Sequence, residues 1–299
     1  MKENVMRYLY YPGCSLEGSA REYGQATEAL MKALGVQMTE VEDWTCCGAS
    51  AAEARSRLLA LALSGRNLAL AEQMDHMDIL VPCSACYLNL AKSNIEIGTD
   101  EHLRAKVNEI LAEEGLSVRG KARPRHLLDI LATDIGAEAV ATGLARPLTG
   151  LVVAPYYGCQ CLRPLAAFDD PENPQSMKAL IEATGAKALA WPMGAKCCGA
   201  ALMNTKPEVG LTLTGKILEN ARTADAIVTV CPMCQMNLEA YQKKISKRLA
   251  SDISISVIYL PQLLGLAMGI DAKELGLDSN LAITPDFRRF LTATTAEAC

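Results

Sequence analysis

The 299-residue sequence contains few aromatic residues, few histidines and no excess of basic residues. Aromatic side chains make up 5% of it, so the core has to be built mainly from aliphatic side chains. The net charge of −5 excludes nucleic-acid binding driven by bulk electrostatics, and we interpret the basic stretches 121–126 and 243–248 as solvated faces. The three histidines, His76, His102 and His126, are scattered along the chain, and we interpret them as surface or packing residues.

Long apolar segments are also lacking. No stretch approaches the roughly 18 apolar residues that span a bilayer. The first residues carry no apolar segment of the signal-peptide type. We therefore expect no transmembrane segment and a cytoplasmic location, with membrane contact only peripheral and through partner proteins.

Cysteine, by contrast, is abundant, with twelve residues. In a reducing compartment, so many cysteines indicate metal or redox chemistry rather than structural disulfides. Ten of them form a pattern that is written twice in the same order. The first copy has YYPGC ending at Cys14, CCG at Cys46 and Cys47, and CxxC at Cys83 and Cys86; the second has PYYGC ending at Cys159, CCG at Cys197 and Cys198, and CxxC at Cys231 and Cys234.

The similar spacing of the two copies indicates a gene duplication. Asn89 and Asn237 each follow the last cysteine of their copy by three residues, which extends the repeat. We predict an N-terminal domain over 1–147, a C-terminal domain over 148–282 and an irregular tail over 283–299. Cys299 has no counterpart in the first copy, and we interpret it as a bystander.

Each half alternates short strand-like and longer helix-like segments. This predicts an α/β fold with two homologous, Rossmann-like halves, each a small parallel sheet covered by helices, related by a pseudo-two-fold axis. The cysteine groups follow predicted strands at 6–11, 37–41 and 79–81 and their second-half equivalents. Because ligands gather at the carboxyl ends of parallel strands, we expect distant cysteines to converge there.

Five thiols in each half exceed the four ligands of a tetrahedral zinc site. Thiolate-only ligation suits iron–sulfur clusters. Zinc binding and thiol–disulfide chemistry nevertheless remain alternatives, because zinc sites and redox dithiols share the CxxC motif. The sequence has no closely spaced CxxCxxC run of the ferredoxin type, so a partner would have to bring or take electrons.

The doubled cysteine pattern, with the phrases LYYPGCSL and PYYGCQCLRP, resembles the duplicated CCG domain of the heterodisulfide reductase B-subunit family. The resemblance implies two noncubane [4Fe-4S] clusters, one on each set of five cysteines. It also implies reduction of a disulfide, or oxidation of thiols, in one-electron steps. The implied partners are a protein like the C subunit of these enzymes, with cubane [4Fe-4S] clusters, a flavoprotein like their A subunit, and a disulfide or thiol substrate that could be a protein-bound sulfur carrier.

Four further residues are candidates for the sites. Cys161 follows Cys159 by two residues and has no cysteine counterpart, so a substrate-facing nucleophile, a spare ligand and a buried small residue are all open. Lys196 precedes the second CCG and is either a charge that favours a reduced cluster or a surface residue. Gly48 and Gly199 are expected to let the backbone approach the cofactor closely.

Two other functions stay open at this stage. One is an electron-relay iron–sulfur subunit of a lactate, glycolate or succinate dehydrogenase-type flavoenzyme. The other is a structural protein stabilised by zinc.

Overall fold

The computed structural model describes residues 5–74 and 78–296, so His76 and Cys299 lie outside the described residues. The described chain contains two four-stranded sheets in which every strand pairing is parallel. The predicted α/β class with two similar halves is confirmed. The division at residues 147 and 148 stays a prediction.

The first sheet has the strand order β2-β1-β3-β4. Its strands are β1 (Arg7–Tyr10), β2 (Gln37–Glu40), β3 (Asp78–Val81) and β4 (Arg123–His126). The helices of this half are α1 (Cys14–Glu17), α2 (Arg21–Ala33), α3 (Ala49–Arg55), α4 (Arg57–Glu72), α5 (Ser84–Thr99), α6 (Glu101–Leu111), α7 (Leu127–Ile130) and α8 (Gly136–Thr142). A π-helical segment, Leu131–Ile135, separates the last two.

The second sheet repeats this arrangement with the order β6-β5-β7-β8. Its strands are β5 (Val152–Tyr156), β6 (Lys187–Ala188), β7 (Ala226–Thr229) and β8 (Ser256–Tyr259). The helices are α9 (Ser176–Ala183), α10 (Pro207–Asn220), α11 (Pro232–Ala240), α12 (Gln242–Leu249), α13 (Leu260–Ala267) and α14 (Pro285–Ala296). Short 3-10 turns lie at Ala112–Glu114, Ala200–Leu202 and Leu277–Ser279.

Helices α3 and α4 are separated by a single residue, Ser56. This residue has an extended backbone, and its side chain accepts a hydrogen bond from the backbone N–H of Leu59. Ser56 therefore acts as the N-cap of α4 and ends α3. In the second half, α10 begins at Pro207, where the proline ring suits the first helical position.

The interpretation of 121–126 as a solvated face is wrong, because this segment contains β4, the fourth strand of the first sheet. His126 ends the strand fully buried. The strand accommodates its arginines because they are paired: Arg123 contacts Asp78 at 2.6 Å, and Arg125 contacts Asp129 at 2.8 Å. The sequence pattern did not indicate β4, because the acidic residues that neutralise its arginines lie on other elements. The second basic stretch lies on α12, where its lysines and arginine are exposed, as predicted.

The prediction of an irregular tail is wrong for residues 285–296. These residues form α14. The hydroxyl of Thr284 accepts a hydrogen bond from the backbone N–H of Phe287, and the Phe287 ring is buried against the core. A capped first turn and the packing of Phe287, Phe290 and Leu291 on the core order this helix.

The two halves share one apolar core. A continuous cluster of buried side chains contains residues of both sheets, for example Leu9 and Leu80 of the first and Val153 and Ile258 of the second. Helix α13 of the second half packs against α2 of the first. The halves are therefore repeats within one packed body, and the carboxyl ends of both sheets lie near their mutual interface. Over the described ranges, no helix combines the length and the apolarity needed to cross a bilayer.

Candidate metal centres at the strand ends

The cysteines of the first half lie where strands give way to helices. Cys14 begins α1, four residues after β1 ends. The CCG loop follows β2 and leads into α3, and Cys83 is the N-cap of α5. Because β1, β2 and β3 are parallel and adjacent, these three loops meet at one edge of the sheet, as predicted.

Within this first thiol group, the sulfurs approach one another closely. The Sγ atoms of Cys14 and Cys46 are 3.7 Å apart, and those of Cys47 and Cys86 are 3.4 Å apart. Cys83 is hydrogen-bonded to Cys86. The fold thus brings together all five cysteines that the repeat singled out.

The second thiol group has the same arrangement. The Sγ atoms of Cys198 and Cys234 are 3.5 Å apart. Cys159 contacts Cys197, and Cys231 contacts Cys234. Two equivalent groups of five thiols therefore lie on equivalent elements.

A tyrosine holds each CCG loop in the same way. The hydroxyl of Tyr11 donates a 2.6 Å hydrogen bond to the carbonyl of Thr45, and Tyr156 donates one of the same length to the carbonyl of Lys196. Thr45 and Lys196 are the residues directly before the paired cysteines. Both tyrosines therefore bind the loop backbone at the residue before the paired cysteines.

The repeated asparagines hold the same loops from the other side. The side-chain amide of Asn89 donates to the carbonyls of Cys47 and Ala49, at 3.3 and 3.0 Å. That of Asn237 donates to the carbonyl of Cys198 at 2.8 Å. Each asparagine lies on the helix that carries the CxxC motif, so it ties that helix to the CCG loop.

Comparisons with known proteins agree with this arrangement. A family model described as the Cysteine-rich domain, CCG, matches residues 8–91 and again residues 153–239. The chain belongs to the CCG family. It carries two copies of the domain, and it is also similar over most of its length to proteins named as the B subunit of heterodisulfide reductases.

Three curated relatives illustrate the range of proteins to which this chain is similar. The 8-methylmenaquinol:fumarate reductase membrane anchor subunit of Wolinella succinogenes is 36% identical over 92% of this chain and 96% of that protein. The B subunit of the ferredoxin/F(420)H(2)-dependent CoB-CoM heterodisulfide reductase of Methanosarcina acetivorans is 32% identical over 90% of this chain and 92% of that protein. A protein of Archaeoglobus profundus that is named as similar to the heterodisulfide reductase B subunit is 30% identical over 94% and 96%.

A solved structure shares the fold of this CCG protein. It is a hypothetical protein from Helicobacter pylori, with a TM-score of 0.75 over 94% of the present chain and 17% sequence identity. The present chain spans 52% of that solved chain. The likeness concerns the fold alone.

Two glycines that the sequence interpretation overlooked make room for the thiols. Gly13 and Gly158 directly precede the first cysteine of each group and have φ values of 74° and 72°. A Cβ at Gly13 would lie 2.8 Å from the Sγ of Cys86, and one at Gly158 would lie 3.0 Å from the Sγ of Cys234. The signal was present in the repeated motif, where glycine precedes cysteine in both copies.

Gly48 and Gly199, which are predicted to approach the cofactor, lie close to protein neighbours. Both have φ values of 81°. A Cβ at Gly48 would lie 2.6 Å from the Cβ of Ala52, and one at Gly199 would lie 2.8 Å from the Cα of Gly210. Their observed role is to let each CCG loop pack tightly on the following helix, and contact with a cofactor stays a prediction.

The electrostatics of the first group favour partial ionisation. The hydrogen bond with Cys86 lowers the pKa of Cys47 to about 7, and the same contact raises the pKa of Cys86. Burial, followed by the contact with Cys46, raises the pKa of Cys14 to about 11. Metals bind thiolates, and a thiol with a pKa near 7 is already partly deprotonated at neutral pH. Fewer protons therefore have to leave this group when it binds a metal.

The second group shows the same division, with an added positive charge. The hydrogen bond with Cys159 lowers the pKa of Cys197 to about 6, and the guanidinium of Arg163 acts in the same direction. The contact with Cys234 lowers the pKa of Cys231 to about 7. Arg163 was missed by the sequence interpretation, because it lies outside the repeat. It is oriented by Glu172 at 2.9 Å and by the carbonyl of Ala195.

Cys161 and Lys196 are placed differently from the ten repeated cysteines. Cys161 is fully buried, and its thiol donates to the carbonyl of Tyr157 at 3.1 Å. Burial also raises the pKa of this thiol, which disfavours the thiolate that a nucleophile needs. Lys196 is exposed and contributes its backbone carbonyl to the loop.

The donor set of the two thiol groups fits an iron–sulfur cluster. The thiols approach in pairs, contributed by three separate loops in each half. Such a soft, all-sulfur donor set, with glycines clearing space beside it, suits a multi-iron cluster in which different cysteines bind different irons.

Proposed function

We propose that this CCG protein is the iron–sulfur subunit of a heterodisulfide reductase-like oxidoreductase, and that each thiol group holds one noncubane [4Fe-4S] cluster. The first would be held by Cys14, Cys46, Cys47, Cys83 and Cys86, and the second by Cys159, Cys197, Cys198, Cys231 and Cys234. The observation that carries the proposal is the equivalence of the two groups. Both collect five thiols from the same three loops, with the same tyrosine and asparagine contacts to the CCG backbone.

When bound, such clusters supply one-electron redox chemistry. The residues of the chain hold the sulfurs, exclude water from the buried side and leave another side open. Cys47, Cys83 and Cys86 are buried, whereas Cys14 and Cys46 are exposed. The open side is where we place contact with a substrate or an electron-transfer partner.

The proposed reaction is cleavage of a disulfide: two electrons and two protons convert one disulfide into two thiols, and thiol oxidation is the reverse. The electrons would come from, or return to, a cubane-cluster protein like the C subunit of heterodisulfide reductases and a flavoprotein like their A subunit. Support for such partners comes from the relatives, two of which are named as subunits of heterodisulfide reductases or as similar to them. Another relative is named as a membrane anchor subunit, so the proposal includes contact with a membrane. We propose that this contact is peripheral and runs through these partners.

Anaerobic purification followed by counts of iron and acid-labile sulfide tests the cofactor. We expect iron and sulfide in equal amounts, enough for two clusters per chain. A colourless protein with stoichiometric zinc would replace the proposal with a structural zinc protein. Reduction of a disulfide by the purified protein, with a reduced viologen dye as electron donor, then tests the reaction.

A second function is favoured by the relative that belongs to a fumarate reductase. In this case the two clusters would relay electrons between a flavoenzyme of the succinate dehydrogenase type and another carrier, and no disulfide would react. Full iron content, with dye-reducible clusters and no turnover of any disulfide, would select this electron-relay role.

A further inference from the structure

The two CxxC loops meet inside the protein at one tyrosine. The hydroxyl of Tyr23, which is fully buried, lies 3.1 Å from the carbonyl oxygen of Pro82 and 3.2 Å from that of Val230. These carbonyls belong to the residues directly before Cys83 and Cys231. One hydroxyl of the first half therefore contacts the start of both CxxC motifs.

Two further buried side chains complete this contact. The hydroxyl of Ser84 donates to the carbonyl of Val230 at 3.2 Å and lies 3.2 Å from the Nε2 of His126. The Nδ1 of His126 accepts from the backbone N–H of Leu128 at 3.1 Å, so the neutral ring carries its proton on Nε2 and donates to Ser84. We call Tyr23, Ser84 and His126 the inter-loop bridge.

The bridge departs from the internal symmetry of the protein. Tyr23 follows Cys14 by nine residues, as Phe168 follows Cys159. Each of these rings stacks on the residue that ends the fourth strand of the other half: Tyr23 on Tyr259, with centroids 4.1 Å apart, and Phe168 on His126, at 6.2 Å. Of the two, only Tyr23 carries a hydroxyl, so Phe168 cannot join the loops in the equivalent way.

We propose that Tyr23, supported by Ser84 and His126, is a positioning residue shared by both metal sites, which fixes the start of both CxxC motifs and sets the reduction potentials of the two sites together. The inference rests on the proposed function, because it presumes a cluster at each site. The single O–H of Tyr23 is shared between the two carbonyls in a three-centre hydrogen bond. A carbonyl that accepts a hydrogen bond polarises its peptide, so the N–H of Cys83 and of Cys231 becomes a stronger donor. Hydrogen bonding around cluster sulfurs is one of the factors that set the potential.

The substitution Tyr23→Phe tests this with little change of shape, since the protein itself has phenylalanine at the equivalent position 168. We expect the variant to retain its iron and to show more negative midpoint potentials at both sites in an anaerobic spectroelectrochemical titration. Tyr8→Phe is the matched control. It removes a partly buried tyrosine hydroxyl that is bonded to Asp134, away from both sites, and should leave both potentials unchanged.

Ser84→Ala separates the two loops. The hydroxyl of Ser84 is bonded to the carbonyl of Val230 and also contacts the thiol of Cys231, whereas Tyr23 reaches the carbonyl of Pro82 as well. This variant should therefore shift the potential of the second site alone. The sites are assigned by repeating each titration in a Cys14→Ser background and in a Cys159→Ser background. Each removes a ligand of one site without touching the inter-loop bridge.

The outcomes are distinct. Unchanged potentials in iron-replete Tyr23→Phe would overturn the inference and leave the proposed function standing. A lower melting temperature with unchanged potentials would do the same, because it would show a merely structural role. If Tyr23→Phe lost iron, Ser84→Ala would decide: a shift confined to the second site supports the inference, and no shift overturns it. A wild-type protein that contains no iron would instead overturn the proposed function.

Discussion

Replacing Cys83 by serine gives the most direct test of two separate sites. Cys83 is 2% exposed and starts the CxxC of the first thiol group. Serine has nearly the same shape but is a poor ligand for iron, so the first site should lose its cluster. The second group keeps all five of its thiols on its own loops, so the protein should retain roughly half of its iron and sulfide.

Cys161→Ser is the matched control, because Cys161 is equally buried and lies near the second site but outside both groups. A new buried hydroxyl costs about 1–3 kcal/mol when it is unsatisfied. At Cys161 the hydroxyl inherits the carbonyl of Tyr157 as an acceptor, so the loss of stability should be at the low end. The amounts of iron and sulfide per folded chain in both variants, with the melting temperature measured in parallel, test this prediction. Loss of both clusters from folded Cys83→Ser, or full iron in that variant, would refute the reasoning.

Two further predictions concern single residues. Burial raises the pKa of Glu239 from 4.5 to about 7, so the stability from this carboxyl is full below its unfolded-state pKa and is lost as the pH rises through about 7. The free energy of unfolding of Glu239→Gln, measured with urea, should therefore exceed that of the wild type by about 3 kcal/mol at alkaline pH and match it in mild acid. Equal free energies of unfolding of the two proteins at alkaline pH as well as in mild acid would contradict this. Gly13→Ala should displace the sulfur of Cys86 and deplete the first site of iron. Gly35 has a similar φ of 70° but no neighbour within 4 Å, so Gly35→Ala should lower the stability of the protein and leave its iron content unchanged. Equal iron loss in both variants would count against the contact between Gly13 and Cys86.

Much of the candidate site was predictable because the signal is local and repeated. The CxxC motifs start α5 and α11, and the doubled order of the cysteine groups predicted two equivalent sites at strand ends. Asn89 and Asn237 were noticed as part of the repeat, although only the structure shows that they bind the CCG backbone. Such features survive in the sequence because both copies need them.

The errors arose where a long-range contact overrides a local pattern. The arginines of β4 resemble a solvated stretch until Asp78 of β3 is placed beside Arg123. Helix α14 carries Phe287, Phe290 and Leu291 at helical spacing, and it is ordered by the packing of these side chains on a core formed by distant segments.

The sequence by itself predicted the two thiol groups and their members, and it determined the parallel α/β class, because spacing and order along the chain carry that information. Only the tertiary structure decided how the two sites relate to each other. Tyr23 lies about 60 residues from one CxxC motif and about 200 from the other, as its contacts with Pro82 and Val230 show. It reaches both because α2 is packed between the halves, and contacts of that range depend on the packing of the shared core, which no local pattern of residues specifies.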